Sequence, residues 1–182
     1  MPRRNILVTG ATGRQGHAAV RALVSGNAVD PDADLHVLAL TRKSSSPKAR
    51  ALASDHVTVV EGNLDDPESA KKLFQNAQTP IWGVLCILAF PGLGASAEGE
   101  EKQGKAKGVG EWVDENHRAK LRIEEHVQSL GAKGLPWTII RPGFFMENYE
   151  GTIGSITVAV LKAGLKADTA LQLILSNFIL KF

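Results

Sequence analysis

A glycine motif near the start narrows the folds open to this chain more than any other feature. Gly10-Ala11-Thr12-Gly13-Arg14-Gln15-Gly16 follows a short apolar run, Ile6-Leu7-Val8-Thr9, and opens a helical pattern in which Gly16, Val20 and Leu23 recur. Glycines let a chain leave a strand sharply and bring its backbone close to a pyrophosphate. The helix that follows offers unpaired N–H groups and the positive end of its dipole. Strand before and helix after is the setting such a site requires. Three glycines that merely make a turn are the alternative. A P-loop is excluded, because no Lys-Ser/Thr follows the glycines.

The first ninety residues alternate between two periodicities. Leu35 to Leu40, Val57 to Val60 and Ile81 to Leu88 join Ile6 to Thr9 as short runs dominated by β-branched or apolar residues, without strict alternation, the pattern of strands covered on both faces in a parallel sheet. Between them, the first helix is expected to end near Gly26, a short helix to lie around Lys48 to Ser54, and Asp66-Pro67 to start a helix with the stripe Ala70, Leu73, Phe74 and Ala77. Alternating strands and helices imply a doubly wound α/β fold with a parallel sheet, of the Rossmann type. Gly92 to Gly110, with six glycines, reads as a loop. A helix capped by Asp114, with Ala119, Ile123, Val127 and Leu130 as its stripe, would end at Gly131. A further strand is expected over Trp137 to Arg141, where it could lie beside Leu85.

At 182 residues the chain suits one α/β domain with at most a small appendage. Residues 1–150 read as that domain and 151–182 as an apolar helical tail. Ala170 to Leu175 and Phe178 to Leu180 are apolar nearly all round a helix, which suits burial under a lobe or against a second copy; a membrane-surface helix lacks its Lys/Arg stripe. The single cysteine, Cys86, excludes a disulfide framework and a Cys-based zinc cluster, and reads as a small core residue. A formal charge of +2 leaves no footprint for direct nucleic-acid binding. With no leader-like start and no apolar run long enough to span a bilayer, the expected place is the cytoplasm, with the nucleus as a second compartment and no membrane partner.

The strand ends select the dinucleotide. An NAD site wants an acid after the second strand, and an NADP site wants Arg there. Thr41-Arg42-Lys43 follows that strand, whereas Asp30, Asp32 and Asp34 precede it. Arg42 and Lys43 would form charge-assisted bonds to a 2′-phosphate, so NADP(H) is favoured over the reading of two solvated loop cations.

With Glu61-Gly62-Asn63-Leu64-Asp65-Asp66, Lys102-Gln103-Gly104-Lys105, Ile123-Glu124-Glu125-His126 and Arg141 to Asn148, the glycine motif resembles the NmrA-like family. That family comprises atypical short-chain dehydrogenases, including nitrogen-metabolite regulators and relatives of isoflavone reductase. The resemblance runs from Asn5 to about Gly151 and is to a shortened member, internally and at the C-terminal side. The tail would be a remnant of the substrate lobe or an oligomer contact. It implies that Gly10, Thr12, Gly13, Arg14, Gln15 and Gly16 surround the pyrophosphate and that Arg42, with Lys43, binds the 2′-phosphate. Asn63, where relatives usually carry Asp, and Leu64 would flank adenine. Ala89 and Phe90 would lie near the nicotinamide ribose.

Reductases of the wider superfamily place a Tyr four residues before a Lys on one helix face, where the ammonium lowers the phenol pKa. Here Lys120 is present, but Asn116 precedes it. Isoflavone-reductase relatives manage with the Lys alone, so Lys120 is the candidate catalytic group, against the reading of a solvated helix lysine. His117 and His126 do not share a helix face, so no metal site is expected. No Gly-x-Ser-x-Gly elbow occurs. Trp82, Trp112 and Trp137 read as packing residues, and Arg141 as the partner of a carboxylate or carbonyl. The favoured function is an NADP(H)-responsive regulator with a protein partner or a homodimer through 153–182, because the dinucleotide motif is intact while the Tyr is missing; the alternative is an NADPH-dependent oxidoreductase acting on a small carbonyl or enone.

Overall fold

The computed structural model describes residues 3–25, 34–75, 80–87 and 109–141, with isolated positions at 144–145, 149, 155, 158 and 173–174. The chain divides into two compact units, Met1–Leu88 with Pro142–Phe182, and Ala89–Arg141.

The first unit is built on a parallel sheet. Strand β1 (Arg4–Val8) is central, with β2 (Leu35–Thr41) on one side and β4 (Ile81–Leu85) on the other; β3 (Val57–Glu61) lies outside β2, giving the order β3-β2-β1-β4. Every pairing is parallel, with Val8 level with Ala39 and Leu85, and Thr41 level with Glu61. All strands therefore end on one edge, and the strand order reverses beside β1. This is the α/β Rossmann arrangement that the apolar runs imply. A ligand in such a sheet binds outside the carboxyl ends at the reversal.

Helix α1 (Arg14–Val24) covers one face through Gly16, Ala19 and Val20, small residues that let its axis come close to the sheet. Ile6, Val8, Val37, Ala39 and Val57 meet Ala19 and Val20 there, with Leu52 closing the far side. Helix α2 (Pro47–Arg50) is a single turn, started by Pro47 and by the Ser46 hydroxyl, which accepts the Ala49 N–H at 3.2 Å. Helix α3 (Pro67–Gln75) begins as Asp66-Pro67 foretold, with the Asp66 carboxylate accepting the Glu68 N–H at 3.0 Å. Leu73 lies on Gly62 and Leu40. Phe74, expected in the buried stripe, is 56% exposed, because Leu73 alone of that pair reaches the sheet.

Strand β4 differs most from expectation. It alternates, with Trp82 at 64% and Val84 at 51% exposure, and among the described residues it is paired with β1 alone. The packing role expected of Trp82 is replaced by a stack with the Arg4 guanidinium, 4.9 Å from the ring centroid. Cys86 has the parity of Trp82 and Val84, and it is exposed rather than in the core.

In the second unit, α4 (Val109–Gly131) starts five residues before Asp114. An Asp caps only where the chain ahead of it leaves the helix, and here Glu111-Trp112-Val113 continue the turn. Gly131 ends α4 as expected. Trp137 closes over it, and a Cβ on Gly131 would stand 2.2 Å from the indole nitrogen. Trp137 is nonetheless 43% exposed. Residues 135–141 form no strand, so the ladder expected over Trp137 to Arg141 is not made. Arg141 is tied instead to α4, its Nε donating to the two Glu124 oxygens at 3.2 and 3.1 Å and its Nη2 to Oε2. The carboxylate partner expected of Arg141 is thus Glu124, and the guanidinium holds that carboxyl below the usual range.

Of the tail, Ser155 and Val158 are helical, while Leu173-Ile174 (β6) pairs in parallel with Phe144-Phe145 (β5). A short apolar run fits either period, and at Leu173-Ile174 the strand prevails over the expected helix. Gly26, Ala77, most of the 92–110 loop and the Lys102 to Lys105 motif lie outside the described residues.

Candidate functional site

The carboxyl ends of β1 and β4 are fastened together just below the glycine motif. Thr9, 2% exposed, donates its hydroxyl to the Ile87 carbonyl at 3.1 Å and accepts the Ile87 N–H at 2.8 Å; its own N–H reaches the Leu85 carbonyl at 3.1 Å. Gly10 then turns at φ 61, a conformation other residues rarely adopt, with the site of a Cβ 3.2 Å from the Ile87 carbonyl oxygen.

The turn closes through the Gly13 N–H, which donates to the Gly10 carbonyl at 2.9 Å, and His17 N–H follows on the Gly13 carbonyl at 2.8 Å. Between them, the N–H groups of Gln15 and Gly16 have no carbonyl partner among the described residues. No side chain caps the helix and its first turn holds no acid. A helix start left this way favours a negative charge beside it. Gly16 is what brings it to the sheet edge: a Cβ there would lie 2.1 Å from the Gly10 oxygen. At its two tightest points, Gly10 and Gly16, a Cβ would meet backbone at 3.2 and 2.1 Å, so the turn holds only glycine there, as a backbone cradle for an anion needs.

Arg42 and Lys43 are exposed, directly after β2. Among the described residues the Arg42 guanidinium makes no hydrogen bond or ion pair. Asn63 and Leu64 sit just past β3. The Asn63 backbone N–H donates to the Ser69 hydroxyl oxygen at 3.0 Å, and the Asn63 amide oxygen accepts the Asp65 N–H at 3.2 Å, leaving a second lone pair. Parallel pairing thus brings the Gly10 to Gly16 loop, Arg42, Lys43, Asn63 and Leu64 to one edge. Ala89 and Phe90 lie outside the described residues. Lys120 is half-buried on α4, in the other unit. Asn116 is on the same helix. Among the described residues no three His, Cys, Asp or Glu cluster as a metal group would.

Sequence reasoning missed the residues that hold this edge. Thr9 is one, and the pair Ser44 and Glu61 is another. The Glu61 carboxylate accepts the Ser44 N–H at 2.8 Å and the Ser44 hydroxyl, bonds that keep its pKa below the ordinary carboxylate value, with Lys43 adding to the effect. The signal was available: Glu61 stands at the end of the third strand, level with Thr41, where its side chain meets whatever follows the second.

Fold and cradle together define an α/β protein of the Rossmann class. A family model described as the NmrA-like family matches residues 2–106, more than half of the chain, and the chain belongs to that family. A protein named NAD(P)H azoreductase, from Xenophilus azovorans, is similar to it: 27% identical over 165 residues, covering 79% of this chain and 49% of the relative. The chain spans about half the length of that relative. Among the described residues no helix is long and apolar enough to cross a membrane.

Proposed function

We propose that this chain binds NADP(H) across the carboxyl edge of its sheet and serves as an oxidoreductase of the NmrA-like kind. The observation that carries the reading is the start of α1, with no side-chain cap, two N–H groups that lack a carbonyl partner among the described residues, no acid in its first turn and no room for a side chain at Gly16. Family membership and the likeness to a protein named NAD(P)H azoreductase support a nicotinamide dinucleotide as the cofactor.

The preference for NADP(H) rests on charge. An acid that binds a ribose 2′-hydroxyl belongs at the end of β2. Arg42 and Lys43 stand there, while Asp34 precedes the strand. In this reading Gly10, Thr12, Gly13, Arg14, Gln15 and Gly16 hold the pyrophosphate, and Arg42 and Lys43 take the 2′-phosphate. Asn63 and Leu64 flank adenine, and Ala89 and Phe90 border the nicotinamide ribose. The bound nicotinamide supplies or accepts a hydride. Lys120 orients its ribose or gives a proton to the substrate, a small carbonyl, an enone or, by likeness to the relative, an azo compound.

A second reading, a cofactor-responsive regulator, is favoured by Asn116, which cannot supply the proton that a Tyr would at that position. Such a regulator would meet a protein partner, or a second copy through 153–182, as the cofactor docks. Calorimetric titration with NADP, NADPH, NAD and NADH tests the shared claim. Arg42→Ala is expected to lose roughly 1.5–3 kcal/mol of NADPH binding, the worth of a charge-assisted hydrogen bond, and little of NADH binding. NADPH oxidation that Lys120→Ala abolishes supports the oxidoreductase. Binding without turnover on azo, enone and carbonyl substrates supports the regulator. Failure to bind any of the four overturns both.

A further inference from the structure

The four residues from Thr41, the last of β2, to Ser44 are held at both ends, while the two cations between them make no side-chain hydrogen bond or ion pair among the described residues. Thr41 is fixed by the ladder to Glu61, its carbonyl accepts the Gly62 N–H at 3.0 Å, and its hydroxyl accepts the Lys43 N–H at 3.3 Å. Ser44 is fixed by Glu61, whose single oxygen Oε2 takes both its N–H and its hydroxyl. Between these anchors the side chains of Arg42 and Lys43 have no hydrogen-bond or ion-pair partner among the described residues. An unanchored loop would order two long cationic side chains and their backbone only on binding, and that ordering would weaken affinity.

We propose that Glu61 is a positioning residue for cofactor choice: through Ser44 it fixes the backbone on which Arg42 and Lys43 stand, so that both cations meet the 2′-phosphate of NADP(H). This rests on the NADP(H) reading above. A carboxylate near an anion site raises the opposite expectation, that it repels the phosphate. Two features decide against repulsion. Glu61 has its charge taken up by both Ser44 donors on Oε2 and by Lys43 nearby, one strand spacing of roughly 5 Å from β2. It is also exposed, where water and salt weaken a like-charge repulsion over such distances. Its two bonds from Ser44 are direct contacts to an ionised acceptor, the stronger kind.

The test measures NADPH and NADH binding by calorimetry for the whole chain and for Glu61→Ala, Glu61→Gln and Ser44→Ala, each with a thermal midpoint. Glu61→Ala is expected to lower the ratio of NADPH to NADH affinity about five- to tenfold through weaker NADPH binding. Ser44→Ala should move it the same way by less. Glu61→Gln, whose amide oxygen can still accept both donors, should restore most of the ratio. An unchanged ratio, equal losses for both cofactors, or a gain in NADPH affinity in Glu61→Ala overturns the proposal while leaving NADP(H) binding intact. If the wild-type chain binds neither cofactor, the NADP(H) reading itself fails, and this proposal with it.

Discussion

At the scale of single residues, two positions shape the cradle, one in the first turn of α1 and one just past β1. Gly16 has no alternative: a methyl group 2.1 Å from a backbone oxygen forces α1 away from the sheet. Gly16→Ala is expected to cost about 1–3 kcal/mol in urea denaturation, as overpacking does, and to remove dinucleotide binding measured by calorimetry. Thr9 is the second. Thr9→Val keeps the shape but leaves the Ile87 N–H and carbonyl without the hydroxyl that served both, an expected loss of about 1–3 kcal/mol. Thr9→Ser retains the hydroxyl and should recover most of it. A Val variant as stable as the wild type would show that those two bonds contribute nothing net.

Elements were legible where the sequence carries a local physical cause. The strands β1 to β3 announce themselves because their runs are mainly apolar and β-branched, broken only by polar residues such as His36 and Thr58. Asp66-Pro67 and Gly131 mark helix ends through cap and φ chemistry that acts within a few residues. Expectation failed where the cause is distant. Whether Trp82, Val84 and Cys86 are buried depends on what lies against β4, which the run Ile81 to Leu88 cannot reveal. Trp137 to Arg141 has strand composition, but a strand also needs a ladder. The glycine cradle was readable because a backbone turn and a helix start are local events. The Thr9 and Glu61 contacts join residues seventeen or more positions apart and emerge only once parallel register is known. Caps being local, Ser46→Ala should cost about 1 kcal/mol in a denaturation midpoint, with α2 fraying.

For the molecule as a whole, three of the shifted groups among the described residues, His36, Glu61 and Glu124, weaken the fold toward acid, while Arg141, raised by Glu124, acts only at high pH. His36 on β2 titrates below 6.5, first through burial and then through Arg3 and His56, with Asp34 partly opposing; its Nε2 lies 2.8 Å from the Thr58 hydroxyl and its buried Nδ1 has no partner among the described residues. A folded form that resists protonation binds fewer protons than the unfolded chain, so stability falls as pH drops through the window below 6.5. Glu61 and Glu124 are held ionised by Ser44 and Arg141, below the ordinary 4.5. Their contribution is present above 4.5 and is lost as pH falls through their lowered values. Urea midpoints should therefore be flat near about pH 7–8 and then decline in two stages, the first flattened by His36→Gln and the second by Glu61→Gln or Glu124→Gln. The second stage should shrink in high salt, because both carboxylates are reached by water. A chain that gained stability on acidification between 6.5 and 4.5 would mean that His36 is protonated in the fold, with Asp34 rather than burial governing it.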